Sequence, residues 1–179
     1  MSRAARHESS IAACNRLVEL EAFRHALVIL LYMPLASEVD TTPAAIRCFQ
    51  SGKTVCVPKV DWSRRDMSAI EVASFDDNFV ETDEHGLRSP REGRLVVPDC
   101  IDLAVVPGLA FDAQGNRFGR GGSCHRRFLS RLRRSATTVG LAFDAQIIDD
   151  IPEAHRDLRL DVIVTERRVT RAGRLRSRH

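Results

Sequence analysis

The sequence contains no CxxC pair, no run of twenty apolar residues and few aromatic side chains. Its five cysteines, Cys14, Cys48, Cys56, Cys100 and Cys124, are odd in number and widely spaced. Such spacing argues against a disulfide framework or a zinc ribbon and suits a reducing, cytoplasmic setting. The longest apolar stretch, Ala26 to Leu35, is about half of the ~20 residues that a spanning helix needs, so no membrane segment is expected. The N-terminus MSRAARHESS lacks the apolar core of a signal peptide. With one Trp and one Tyr, the core must be built from Val, Leu, Ile and Ala. No acidic residue follows Glu166, whereas six arginines do. The formal net charge of the whole chain is only +3, so residues 1–166 are acidic and the basic character belongs to the tail. A pI near 8.8 is therefore no argument for nucleic-acid binding by the body of the protein.

What is present reads as one domain over residues 1–166, followed by a basic tail, 167–179, expected to be disordered for want of apolar residues. Residues 9–23 carry helical periodicity, with Ser9 or Ser10 as the cap. The run HALVILLYMPL is continuously apolar, as in a strand buried on both faces of a parallel sheet. Thr42-Pro43 starts a helix that ends near Gly52. Strands are expected at 54–60, 67–72, 101–107, 137–143 and 160–166, and a helix across SCHRRFLSRLRR (123–134). Residues 73–99 form a long polar loop of a length that often carries function. This order predicts an α/β fold, three-layer α/β/α, with a mainly parallel sheet and a ligand at the carboxyl ends of its strands.

The densest chemistry lies between Gly115 and Ser123, where glycines fall at 115, 119, 121 and 122 beside Arg117 and Arg120. Consecutive N–H groups in such a turn make an anion nest, and arginines add charge-assisted bonds. The spacing is neither a P-loop nor a dinucleotide fingerprint. On the residues alone, a phosphate or carboxylate site and a tight turn with solvated arginines both stand. Elsewhere, Asp112 reads as a turn former, Trp62 and Tyr32 as packing residues, and Cys124-His125 as neither a zinc site nor a nucleophile.

The stretch VPGLAFDAQGNRFGRGGSCHRRFL resembles the signature of the 5-formyltetrahydrofolate cyclo-ligase (methenyltetrahydrofolate synthetase) family, VPGLAFDxxGxRLGxGGGYYDRFL. MPLASEVDT, GKTVCVPKV, HGLRSP, TTVGLAFDAQII and IPEAHRDLRLDVIVTE resemble further family segments, in order, over residues 10–169. The resemblance implies an ATP- and magnesium-dependent ligase acting on a reduced folate. ATP phosphorylates the formyl oxygen of 5-formyltetrahydrofolate, a neighbouring folate nitrogen closes the ring, and phosphate leaves. A cytoplasmic monomer without a nucleic-acid partner is expected.

Carried over by position, the resemblance places ATP on Arg117, Phe118, Gly119, Arg120, Gly121, Gly122, Ser123, Cys124 and His125, with Arg120 as the catalytic cation. It places folate on Met33 and Glu38 and magnesium on Asp157. Ser123-Cys124-His125-Arg126 stand where the family has G-Y-Y-D, so the resemblance implies that a second metal ligand is replaced by Arg126. Ser89 stands for a family glutamate. The chain is expected to start after most of the family's basic first helix, with Arg3 and Arg6 as stand-ins. Three readings follow: an active cyclo-ligase with an unusual site, a non-catalytic nucleotide- or folate-binding module, and a nucleic-acid-associated protein using its tail.

Overall fold

The apolar run after Ala26 enters the centre of an eight-stranded sheet. The computed structural model describes residues 1–75, 80–84, 86–119 and 124–172. Helix α1 (Arg3–Glu19) is followed by the short α2 (Glu21–His25), strand β1 (Val28–Leu30) and helix α3 (Thr42–Gln50). Then come β2 (Thr54–Asp61), β3 (Asp66–Val72), the small hairpin β4 (Val80–Thr82) and β5 (Arg88–Pro90), and β6 (Leu95–Val96). Strands β7 (Leu103–Val106), β8 (Ala110–Phe111) and β9 (Asn116–Phe118) lead to helix α4 (Cys124–Leu129). The chain finishes with β10 (Thr137–Leu141), β11 (Leu158–Arg159), β12 (Val162–Val164) and β13 (Val169–Arg171).

The large sheet has the order β13-β12-β10-β7-β1-β2-β3-β6. Its five central strands, β12 to β2, run parallel, and the edge pairs are antiparallel. Burial explains the parallel centre. Every residue of β7 is buried. Leu103 and Val105 pack on the face covered by α1 and α3, whereas Ala104 packs on the opposite face with Cys124 and Phe128 of α4. Strands apolar on both sides need cover on both sides, and that gives three layers. The second outer layer is completed by a three-stranded sheet, β11-β9-β8.

Several boundaries differ from expectation, each for a physical reason. Helix α1 begins at Arg3, where the Ser2 side chain accepts from the Ala5 amide at 3.2 Å. Ser10 is therefore not a cap. It sits on the buried face with Ala13, Cys14 and Leu17, and its hydroxyl accepts from the Asp40 amide. The strand predicted over 25–35 is only three residues long, because the chain leaves the ladder after the Leu31 amide has donated to the Cys56 carbonyl, while Leu31, Tyr32 and Met33 stay buried. Helix α4 stops at Leu129, where successive i+3 hydrogen bonds close the chain into turns. The long loop 73–99 contains the hairpin β4–β5 and the edge strand β6. The basic tail is not disordered throughout: Val169–Arg171 pair with β12 in the large sheet. Backbone pairing holds this strand where apolar content is low, and residues 173–179 lie outside the described residues.

Candidate functional site

Strand β1 pairs with β2 on one side and β7 on the other, so consecutive crossovers part at its carboxyl end. Such a switch point leaves a crevice beyond the strand ends. A cavity of about 590 Å³ opens there. Tyr32 and Met33 reach it from the end of β1, Pro107 and Gly108 from the end of β7, and Pro58, Lys59 and Val60 from β2. The hairpin β4–β5 forms another wall with Glu81, Thr82, Asp83, Leu87, Arg88 and Ser89.

Arg117 forms the charged end of this cavity. It is 4% exposed. Its Nε donates to the Pro107 carbonyl at 2.5 Å, and its Nη1 donates to Asp157 Oδ2. Pairing of β9 with β11 brings the two residues together, and the Asp157 amide also donates to the Arg117 carbonyl at 3.0 Å. Burial lowers the Arg117 pKa from its ordinary value, and Asp157 opposes that shift. A Cβ at Gly119 would lie 2.4 Å from Arg117 Nη1, so a side chain there would displace the guanidinium from its bonds to Pro107 and Asp157. Asp157 Oδ1 is buried and has no hydrogen-bond partner among the described residues. A carboxylate oxygen in that condition is a ready ligand for a hard cation or a strong donor.

Met33 and Glu38 both line the cavity. The Glu38 carboxylate accepts from the Leu35 amide at 2.9 Å, which folds the 35–38 turn against the wall. The Tyr32 hydroxyl donates to the Val39 carbonyl at 3.0 Å, and the Thr41 hydroxyl donates back to the Tyr32 carbonyl at 2.7 Å. Tyr32 is thus a packing residue, as read from the sequence, that also closes the cavity floor. Cys124 and His125 enter from the start of α4. Burial raises the Cys124 thiol pKa, which agrees with its reading as a non-nucleophile. Burial, reinforced by the nearby Arg117 charge, pushes the His125 imidazole down to about 3. It therefore meets a ligand as a neutral donor or acceptor.

Phe118 is on the outer side of β9, edge-to-face with His155 at 5.6 Å between centroids, rather than on the cavity wall. Arg120, Gly121, Gly122 and Ser123 lie outside the described residues. Arg3 and Arg6 sit in the first turns of α1 and do not line the cavity. Asp112 is a turn former: its carboxylate accepts from the amides of Gln114 and Asn116 and reaches the Ile151 amide. Lys59, Trp62, Glu81 and Asp83 were missed as wall residues. The usable signal was the position of Lys59 and Trp62 at the end of a strand whose start already matched a motif.

An open α/β sheet with a mixed polar cavity at its switch point and a buried arginine–aspartate pair beside a glycine-rich stretch of sequence belongs to the class of small-molecule α/β enzymes. The model of the 5-formyltetrahydrofolate cyclo-ligase family matches residues 1–166. A 5-formyltetrahydrofolate cyclo-ligase of Mus musculus is 24% identical over 175 residues, covering 93% of this chain and 86% of the relative. A probable 5-formyltetrahydrofolate cyclo-ligase of Schizosaccharomyces pombe is 30% identical over 177 residues, covering 90% and 86%. Among solved structures, the 5,10-methenyltetrahydrofolate synthetase of Aquifex aeolicus superposes with a TM-score of 0.81 at 31% identity, covering all of this chain and 89% of that one. The chain belongs to the 5-formyltetrahydrofolate cyclo-ligase family.

Proposed function

We propose that this chain converts 5-formyltetrahydrofolate to 5,10-methenyltetrahydrofolate with ATP, the reduced folate occupying the cavity and the nucleotide the loop that begins at Arg117. The observation that carries this reading is the meeting of Met33, Glu38 and Arg117 around one cavity, with Asp157 bonded to Arg117 behind it, from three separated parts of the sequence. Phosphoryl transfer needs mainly positioning and charge neutralisation. Arg117 supplies a fixed cation at the cavity end. Arg120 is assigned the neutralisation of the transferred phosphoryl group from its place in the loop sequence. Glu38 is assigned the amino edge of the pterin and Met33 its apolar face. The formyl oxygen takes the terminal phosphoryl group of ATP, the neighbouring nitrogen attacks the formyl carbon, and phosphate departs as the ring closes.

The residues present fit magnesium in a restricted way. Magnesium keeps several waters and uses one or two carboxylates together with phosphate oxygens. Asp157 Oδ1 is suited to be such a carboxylate, and the bound ion would supply neutralisation of phosphate charge. Among the described residues no cluster of three or more His, Cys, Asp or Glu could hold a metal by itself. The five free cysteines, four of them buried, fit a reducing compartment, and the protein is assigned to the cytoplasm. Among the described residues no helix is long and apolar enough to cross a membrane.

The departure at Ser123 to Arg126 favours a second reading, in which the site binds nucleotide or folate without turnover. One assay separates the two. Methenyltetrahydrofolate adds a near-ultraviolet absorbance band, so purified protein, 5-formyltetrahydrofolate, magnesium and ATP should develop it, and the mixture without ATP should not. Binding of both ligands without the band would leave the second reading.

A further inference from the structure

The segment 107–109 leaves β7 at the cavity and carries the carbonyl on which Arg117 is seated. The Pro107 carbonyl accepts from Arg117 Nε, and the Leu109 amide donates to the Phe118 carbonyl at 2.8 Å. The same segment meets Gln146, the last residue of the short turn Asp144–Gln146 after β10. Gln146 Nε2 donates to the Gly108 carbonyl at 2.7 Å and, at 3.4 Å, to the Leu109 carbonyl. Its Oε1 accepts from the Phe143 amide at 2.8 Å. A carboxamide with an N–H at its oxygen and carbonyls at its nitrogen has one orientation only. That turn is anchored to the end of β12. Glu166 Oε2 accepts from the Asp144 amide at 2.8 Å, and Asp144 Oδ1 accepts from the Thr165 hydroxyl at 3.2 Å and from Arg168 Nε at 2.9 Å.

We propose that Gln146 is a positioning residue for phosphoryl transfer: through the Gly108 carbonyl it fixes the segment whose Pro107 carbonyl aims the Arg117 guanidinium. This rests on the reading of Arg117 as a cation of the nucleotide site. Two acceptors set the direction of that guanidinium, Pro107 at Nε and Asp157 at Nη1. Asp157 directly precedes β11, which pairs with β9, so this acceptor travels with Arg117. The Pro107 carbonyl instead ties Arg117 to the end of β7 in the large sheet, and Gln146 holds that end. Gln146 is not among the residues lining the cavity, so its effect reaches a ligand through the segment it holds. A displacement of about 1 Å by a change far from the chemistry can cost about 100-fold in rate.

Gln146→Met, of similar length, removes both the donor and the acceptor. Gln146→Glu keeps the size and the acceptor for Phe143 but sets a carboxylate oxygen against the Gly108 carbonyl. At neutral pH both should lower kcat, read from the methenyl absorbance, by roughly ten- to hundredfold with KM for 5-formyltetrahydrofolate within about threefold, at a temperature where circular dichroism shows the variants folded. Combined with Arg117→Lys, which keeps a cation beside Asp157, either substitution should cost less than about threefold more, because residues acting as one unit are not additive. A parent-like kcat in Gln146→Glu would make Gln146 a space-filling residue, and a fully additive loss on Arg117→Lys would show that it does not act through Arg117. Either result overturns the proposal while leaving the cyclo-ligase reading intact. No methenyl band from the parent chain with ATP overturns that reading, and the proposal with it.

Discussion

Arg117 is almost wholly buried, and its energetics follow chiefly from Asp157, the carboxylate it pairs with among the described residues. Its side chain is 5% exposed and that of Asp157 25%. Removing one member of such a pair leaves the other charge buried and uncompensated. Asp157→Asn should therefore destabilise the fold by about 3 kcal/mol in urea denaturation and should also weaken magnesium-dependent ATP binding. Arg126 stands where the family pattern has an acid. Arg126→Asp should strengthen magnesium-dependent ATP binding in calorimetry. An unchanged affinity would mean that the metal site has diverged by more than this ligand. His125 links the site to pH. Its folded pKa, near 3, lies below the ordinary value of about 6.5, so the unfolded chain binds the extra proton between those values. His125 therefore makes stability fall as pH drops through 6.5 toward 3. His125→Gln should lose less stability than the parent between pH 7 and pH 5, measured by urea unfolding at each pH.

The elements show which parts of the sequence were readable. Strands β2, β3 and β7 were legible because β-branched and apolar runs are bounded by turn residues. Helix α3 was legible from Thr42-Pro43, although Thr41 proves to be the capping position. The hairpin β4–β5 was not, because Arg88-Ser89-Pro90 has no strand-like alternation. It is held by contacts distant in sequence, notably the ion pair of Lys59 with Glu81 at 2.8 Å and the hydrogen bond from Trp62 to Asp83. Strand β13 was hidden by its arginines. It covers the edge of β12, whose Val162, Ile163 and Val164 are all buried. Truncation after Glu166 should therefore lower the melting temperature by several degrees and promote association through the bared edge, read by thermal unfolding and sedimentation. If truncation left both unchanged, β13 would be dispensable.

For the whole molecule, three layers and a parallel centre followed from continuous apolar strands that alternate with helices. The place of the site followed from the topology, since a cavity at the ends of β1 and β7 is where the strand order reverses. The family resemblance singled out Met33, Glu38, Arg117, Cys124 and His125 as site residues, and all five line the cavity. What no local pattern contained was the pairing across space: the Gly119 backbone against Arg117, the buried Asp157 Oδ1, and Trp62 held from the hairpin. Those depend on tertiary register, which sequence periodicity does not encode.

In the proposed reaction phosphate leaves as the ring closes, so the two events are coupled. This coupling is tested most directly by a single-turnover experiment with enzyme in excess of 5-formyltetrahydrofolate, magnesium and ATP, in which phosphate release and the methenyl absorbance are followed together. One phosphate per methenyltetrahydrofolate formed is expected, and both signals should be lost in Arg117→Ala. Phosphate release without the absorbance change, or ring closure without ATP, would contradict the coupling.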